Sequence, residues 1–157
     1  MDTQTLAELA AGLEAGDYSS EELTRHYLKR AHSFTGLNAF ITIDEDLALC
    51  EAEAADRQRA RGEATRVTGI PIAHKDVFCT RGLLTTCGSK MLGNWVAPYD
   101  ATVVERLRND GAVVAELTAE KVGLPLVVET SSHAERNRRR EGQCRGEPGA
   151  AHVQAPY

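Results

Sequence analysis

The sequence predicts an α/β fold in which helices lie over a mostly parallel sheet. Three observations carry that expectation. Amphipathic helical stretches fill most of the chain before residue 62; short runs of β-forming apolar residues stand at 38–43, 69–73 and 112–115; and the last two runs are joined through a further helical stretch. Strand, connection, helix, strand is the rhythm of an α/β unit. At 157 residues the chain has the length of one compact domain, and 42% hydrophobic with 26% charged residues is the mix of a soluble globular protein.

Each element has a local cause. Leu6, Leu9, Ala10 and Leu13 recur at three- and four-residue spacing after Thr5, a short helix stopped by Gly16. Ser19-Ser20-Glu21-Glu22 supplies a capping box for a second helix with Leu23, Tyr27, Leu28 and Ala31 on its inner side, ending near Ser33 or Gly36. Asn38 to Ile43 alternates and is rich in β-formers, so it is a strand. Asp44 opens a third helix running through Leu47, Cys50, Ala54 and Arg57 toward Gly62. Gly69 to Ala73 is a short apolar strand, after which Arg81-Gly82 and the Thr85 to Ser89 stretch form a polar, glycine-punctuated loop. Asp100 is placed to cap a fourth helix with Ala101, Val104 and Leu107 inward; Gly111 ends it, and Ala112 to Ala115 is the next buried strand.

Charge is unevenly distributed. The net charge is −5, from 23 acidic against 18 basic residues, and residues 1–114 carry the whole excess. An acidic body disfavours non-specific contact with nucleic acid or anionic membrane. From His133 to Tyr157 there is no Leu, Ile, Met, Phe or Trp, while five arginines face three glutamates, so this segment is expected to be a disordered tail. Arg136 and Arg138 to Arg140 are either phosphate contacts for a nucleic acid or, with no aromatics interleaved, simply a solvated run. The longest apolar stretch, Leu124 to Val128, falls far short of the ~20 residues of a membrane span. The start lacks the basic and then apolar regions of an export signal, and Cys50, Cys79, Cys87 and Cys144 are irregularly spaced; together these predict a cytoplasmic protein with four reduced thiols.

The chemically informative spot is His74-Lys75-Asp76, where the Gly69–Ala73 strand ends. Reactive groups of α/β proteins commonly sit at such strand ends. A lysine following buried residues loses part of its hydration, which favours the neutral amine that a general base needs. The alternative is that Lys75 pairs with Asp76 at the surface. His74, Cys79 and Cys87 fit no zinc-ligand spacing, so no metal site is expected, and nothing in the pattern sets a base beside Cys79 to make it a nucleophile.

Gly69-Ile-Pro-Ile-Ala-His-Lys-Asp-Val-Phe-Cys-Thr-Arg-Gly82 resembles the lysine segment of the amidase signature family. The stretch from Cys87 through Gly-Ser-Lys-Met-Leu-Gly-Asn-Trp-Val-Ala-Pro-Tyr-Asp-Ala-Thr to Arg108 narrows the resemblance to the A subunits of the glutamyl-tRNA(Gln)/aspartyl-tRNA(Asn) amidotransferases. The resemblance implies the N-terminal portion of the amidase signature fold, a mixed sheet flanked by helices, here incomplete. It also implies a catalytic set of a lysine, a serine held across a cis peptide and a nucleophilic serine that attacks the side-chain amide of glutamine. Matched by position, Lys75 is that lysine. The released ammonia would pass to a partner; subunits B and C are the implied partners, tRNA is met only indirectly, and ATP and Mg²⁺ are used by a partner subunit rather than by this chain.

The family's Gly-Gly-Ser-Ser-Gly-Gly loop, which holds both serines, does not occur in these residues. Ser131 and Ser132 lack glycine on either side, so consecutive N–H groups are not freed to cradle an oxyanion there. The match is expected to end near Val114, dividing the chain into an amidase part at 1–114, a divergent continuation at 115–132 and the tail at 133–157, as in a truncated or frame-shifted product. Two functions remain open: a fragment of a glutamine-hydrolysing amidase subunit that is inactive alone, or a non-catalytic assembly or regulatory module that binds the other amidotransferase subunits.

Overall fold

A computed structural model describes residues 4–37 and 39–118. Four helices and three strands appear there: α1 (Leu6–Ala15), α2 (Ser20–Ser33), β1 (Phe40–Ile43), α3 (Glu45–Ala60), β2 (Pro71–Lys75), α4 (Thr102–Asn109) and β3 (Val113–Thr118). The strand order is β1-β3-β2, with β1 antiparallel and β2 parallel to the central β3. The sheet is therefore mixed, as the family resemblance implied.

Local signals set the helix starts. Thr5 and Glu8 form a capping box on α1, and Ser19 and Glu22 form another on α2, each satisfying donors that the first turn leaves open. Asp44 caps α3 by accepting from the Leu47 N–H at 3.0 Å. The buried stripe of α3 is Ala48, Ala52 and Ala55; Leu47 and Cys50 are half-buried and Ala54 is exposed. Small side chains on that face let Leu28 of α2 and Val113 of β3 pack closely against the helix, which a leucine there would prevent. α4 differs from expectation at its start. Its N-cap is Ala101, without a side-chain cap, because Asp100 is engaged elsewhere.

Two glycines place the sheet. Gly69 (φ +82°) and Gly111 (φ +80°) precede β2 and β3, and a Cβ at Gly69 would stand 2.7 Å from Ser20 Oγ, one at Gly111 2.8 Å from Thr68 Oγ1. Their main chains meet directly, Gly69 N–H to Gly111 O at 2.8 Å, and Val113 N–H then bonds Ile70 O at 3.0 Å. Three small clusters make the core: Leu9, Leu13, Leu23 and Ile70 under α1 and α2; Leu28, Ala48, Ala52 and Val113 between helices and sheet; and Val104, Ala112 and Val114 under α4. Among the described residues no helix is long and apolar enough to cross a membrane. The divergent continuation beyond Thr118, Ser131 and Ser132, the arginine run and the expected tail lie outside the described residues.

Candidate active-site lysine and its surroundings

Lys75 is the last residue of β2, and its side chain is exposed. The burial expected ahead of it is only partial: Ile70 is buried, Pro71 and Ile72 are half-buried and Ala73 is exposed. The reason is topological. Among the described residues β2 is an edge strand, paired on one side, a position that also suits Pro71 because an edge strand does not need every N–H. Lys75 is thus exposed at the strand end among those residues.

The residues on either side of Lys75 are held firmly. His74 Nδ1 lies 3.1 Å from the Lys75 carbonyl and Nε2 lies 2.9 Å from Thr80 Oγ1. A carbonyl only accepts, so Nδ1 carries the hydrogen of the neutral ring and Nε2 accepts from the Thr80 hydroxyl. Burial holds the imidazole below its ordinary pKa; its backbone bond to Lys75 opposes that, and the Arg108 charge reinforces it. The Phe78 ring meets His74 edge-on with centroids 6.1 Å apart.

Asp76 turns inward and is only 2% exposed, so it is no surface partner for Lys75. Its carboxylate accepts from the Thr86 N–H at 2.8 Å and from the Thr86 hydroxyl, and its carbonyl accepts from the Cys87 N–H at 2.9 Å. The sequence offered little sign of this bond, since Thr86 is one of several polar residues in a stretch predicted only as loop. That loop contains more order than expected, with an isolated antiparallel bridge between Leu84 and Val96.

A second polar group stands behind the sheet. Arg108, from the last turn of α4, bonds both carboxylate oxygens of Asp100 at 2.9 and 3.0 Å and approaches Glu51 of α3 at 3.2 Å. Asp100 also accepts from the Arg81 N–H at 2.6 Å, which takes it from the capping role expected at α4. Glu51 accepts from the Val114 N–H at 2.7 Å. Val113 N–H points toward β2, so the Val114 N–H points to the other side of β3, past the last β1 pair at Ile43 and Glu116, and Glu51 satisfies it there. Burial pushes the Glu51 carboxyl above its usual range, with Arg108 and the Val114 N–H pulling the other way.

Of the four cysteines, Cys79 and Cys87 are free thiols, and Cys144 lies outside the described residues. The Tyr99 phenol is raised above its ordinary pKa first by a hydrogen bond with Cys79 and then by the charge of that thiol. Among the described residues no group of three or more His, Cys, Asp or Glu is gathered to hold a metal ion.

A strand-end lysine between a half-buried histidine and a buried aspartate, on a mixed sheet with helices against it, defines the class before any comparison is made: an α/β scaffold presenting an amine. The chain belongs to the amidase family, whose profile, described simply as Amidase, matches residues 22–119. It is 50% identical over 135 residues to the A subunit of the glutamyl-tRNA(Gln) amidotransferase of Thioalkalivibrio sulfidiphilus, covering 85% of this chain and 28% of that protein. To the protein of the same name from Nitrosococcus oceani it is 56% identical over 115 residues, 73% of this chain and 24% of the other. The crystal structure of the native peptide amidase of Stenotrophomonas maltophilia superposes with a TM-score of 0.69 at 36% identity, over 74% of this chain and 24% of that one.

The chain thus spans about a quarter of the length of the curated relatives it matches. The family match ends at residue 119, one residue past the end of β3.

Proposed function

We propose that this chain is the lysine-bearing N-terminal portion of the glutamine-hydrolysing amidase subunit of a tRNA-dependent amidotransferase. The single observation that carries the reading is the placement of Lys75, the residue that matches the family's catalytic lysine, at the exposed end of β2 between two anchored neighbours. Identity supports the amidotransferase branch over amidases in general, at 50–56% to the A subunits against 36% to the peptide amidase.

In this reading Lys75 accepts a proton through a serine held across a cis peptide and so activates a second serine, which attacks the side-chain amide of glutamine. Converging backbone N–H groups stabilise the oxyanion and ammonia leaves. The ammonia passes to partner subunits B and C, where ATP and Mg²⁺ serve the amidation of Glu-tRNA(Gln) or Asp-tRNA(Asn) in the cytoplasm. Both serines belong to a Gly-Gly-Ser-Ser-Gly-Gly loop that these 157 residues do not contain. The chain therefore supplies the base of the set, and alone it releases no ammonia from glutamine.

A chimera tests this directly. Residues 1–114 of this chain replace the corresponding segment of the Nitrosococcus oceani protein, and glutamine hydrolysis is followed by ammonia release in the presence of the other subunits. The chimera is expected to be active, and Lys75→Ala within it to lose about a hundredfold or more of kcat. A Lys75→Ala chimera as active as its parent would refute the role of the lysine.

The exposed apolar surface around Phe34 and Leu37 favours a second reading, a non-catalytic module that binds the other amidotransferase subunits. Stable co-purification of the 157-residue chain with subunits B and C, without ammonia release, would support it.

A further inference from the structure

The peptide that carries Lys75 is tied to a second loop by a buried carboxylate. Asp76 takes two bonds from one residue, the N–H and the hydroxyl of Thr86, and returns a main-chain bond through its carbonyl to the Cys87 N–H. The far side of this tie is itself a tight turn. Cys87 and Gly88 both have positive φ, at +52° and +66°, and the Ser89 N–H closes the turn onto the Thr86 carbonyl at 2.9 Å. The Thr86 hydroxyl donates to Asp76 and accepts from the Gly88 N–H at 3.1 Å, so both of its roles are filled and its rotamer is set.

We propose that Asp76 and Thr86 together are positioning residues for Lys75, an inference that rests on the reading of Lys75 as a base. Burying a carboxylate is unfavourable unless its bonds are complete, and a loop could be closed here with apolar residues at lower cost. A carboxylate placed next to the amine-bearing residue, and held rigidly by a turn with a non-glycine residue in the left-handed region, fixes where the lysine side chain begins. Lysine's long flexible stem leaves many placements open to its amine, and a fixed Cα narrows that set.

The test reads the amine itself. The 157-residue chain is labelled competitively with acetic anhydride between about pH 7 and 11, and the rate at Lys75 is followed by mass spectrometry against Lys29 and Lys90. Thr86→Val removes the hydroxyl but leaves the Asp76 charge; Thr86→Ser keeps the bond; Asp76→Asn removes the charge. Positioning through the hydroxyl predicts that Thr86→Val shifts the relative rate and pH profile of Lys75 about threefold or more, that Thr86→Ser restores it, and that Asp76→Asn follows Thr86→Val. The proposal is overturned if folded Thr86→Val leaves Lys75 unchanged, or if only Asp76→Asn acts, which would mean that charge and not position matters. Should Asp76→Asn fail to fold, the two Thr86 variants decide alone. The readout needs no catalysis, so an inactive chimera would sink the functional reading and leave this tie standing, and an unresponsive Lys75 would do the reverse.

Discussion

Around Lys75 the residues with the most to say are its neighbours. His74 is half-buried, bonded to the Lys75 carbonyl and to Thr80, and held below its ordinary pKa by burial before the Arg108 charge is counted. The folded state therefore prefers the neutral ring. The unfolded chain takes up a proton near pH ~6.5, before the folded one does, so this contribution to stability is complete above that value and fades as pH falls below it. Glu51 runs with the opposite sign. Its carboxyl is raised by burial, so its contribution is greatest in acid and declines as pH rises through about 4.5 and above. Comparing variants separates the two: urea midpoints of the natural chain are expected to fall more between about pH 7.5 and 5.5 than those of His74→Gln. Equal slopes would show that the imidazole is not held neutral by the fold.

At the scale of the element, α3 shows how packing chooses among possible faces. Its sequence is alanine-rich, so several stripes satisfy helical spacing, and the one that goes inside is the one whose small side chains let Leu28 and Val113 approach. Ala52 is 0% exposed at the centre of that contact. Ala52→Leu is expected to destabilise the chain by about 1–3 kcal/mol through overpacking, with an unchanged denaturant slope. A neutral result would mean that the interface has spare volume. The helix starts behaved differently. Ser19 caps its helix as its spacing predicted, and Thr5 and Asp44 cap theirs, because capping is settled within four residues. Asp100 has the same chemistry and does not cap α4, because Arg108 and the Arg81 N–H offer a charge-assisted alternative that only folding brings near.

For the chain as a whole, exposed apolar surface governs how it behaves in solution. A cavity of about 410 Å³ opens between α2, β1 and β2, lined among others by Phe34, Leu37, Phe40 and Pro71. Phe34 and Leu37 are 54% and 68% exposed, and among the described residues β1 and β2 are the edges of the sheet. Apolar surface beside open edges promotes association. Sedimentation velocity of the 157-residue chain is expected to show oligomers that grow with concentration, and Phe34→Ser with Leu37→Ser to reduce them. A concentration-independent monomer would contradict this.

Much of this molecule is legible in one dimension. The helices, the three strands and the lysine at the end of β2 follow from periodicity, capping spacing and glycine punctuation, all of which act over a few residues. The family resemblance rests on the same continuous stretches. What tertiary structure decided is whatever depends on groups far apart in the chain: that among the described residues β2 lies at an edge and leaves Lys75 exposed, that Asp76 is buried against Thr86 ten residues on, and that Glu51, Asp100 and Arg108 converge behind the sheet. Burial and long-range hydrogen bonding depend on what the rest of the fold places nearby, and no local pattern encodes that.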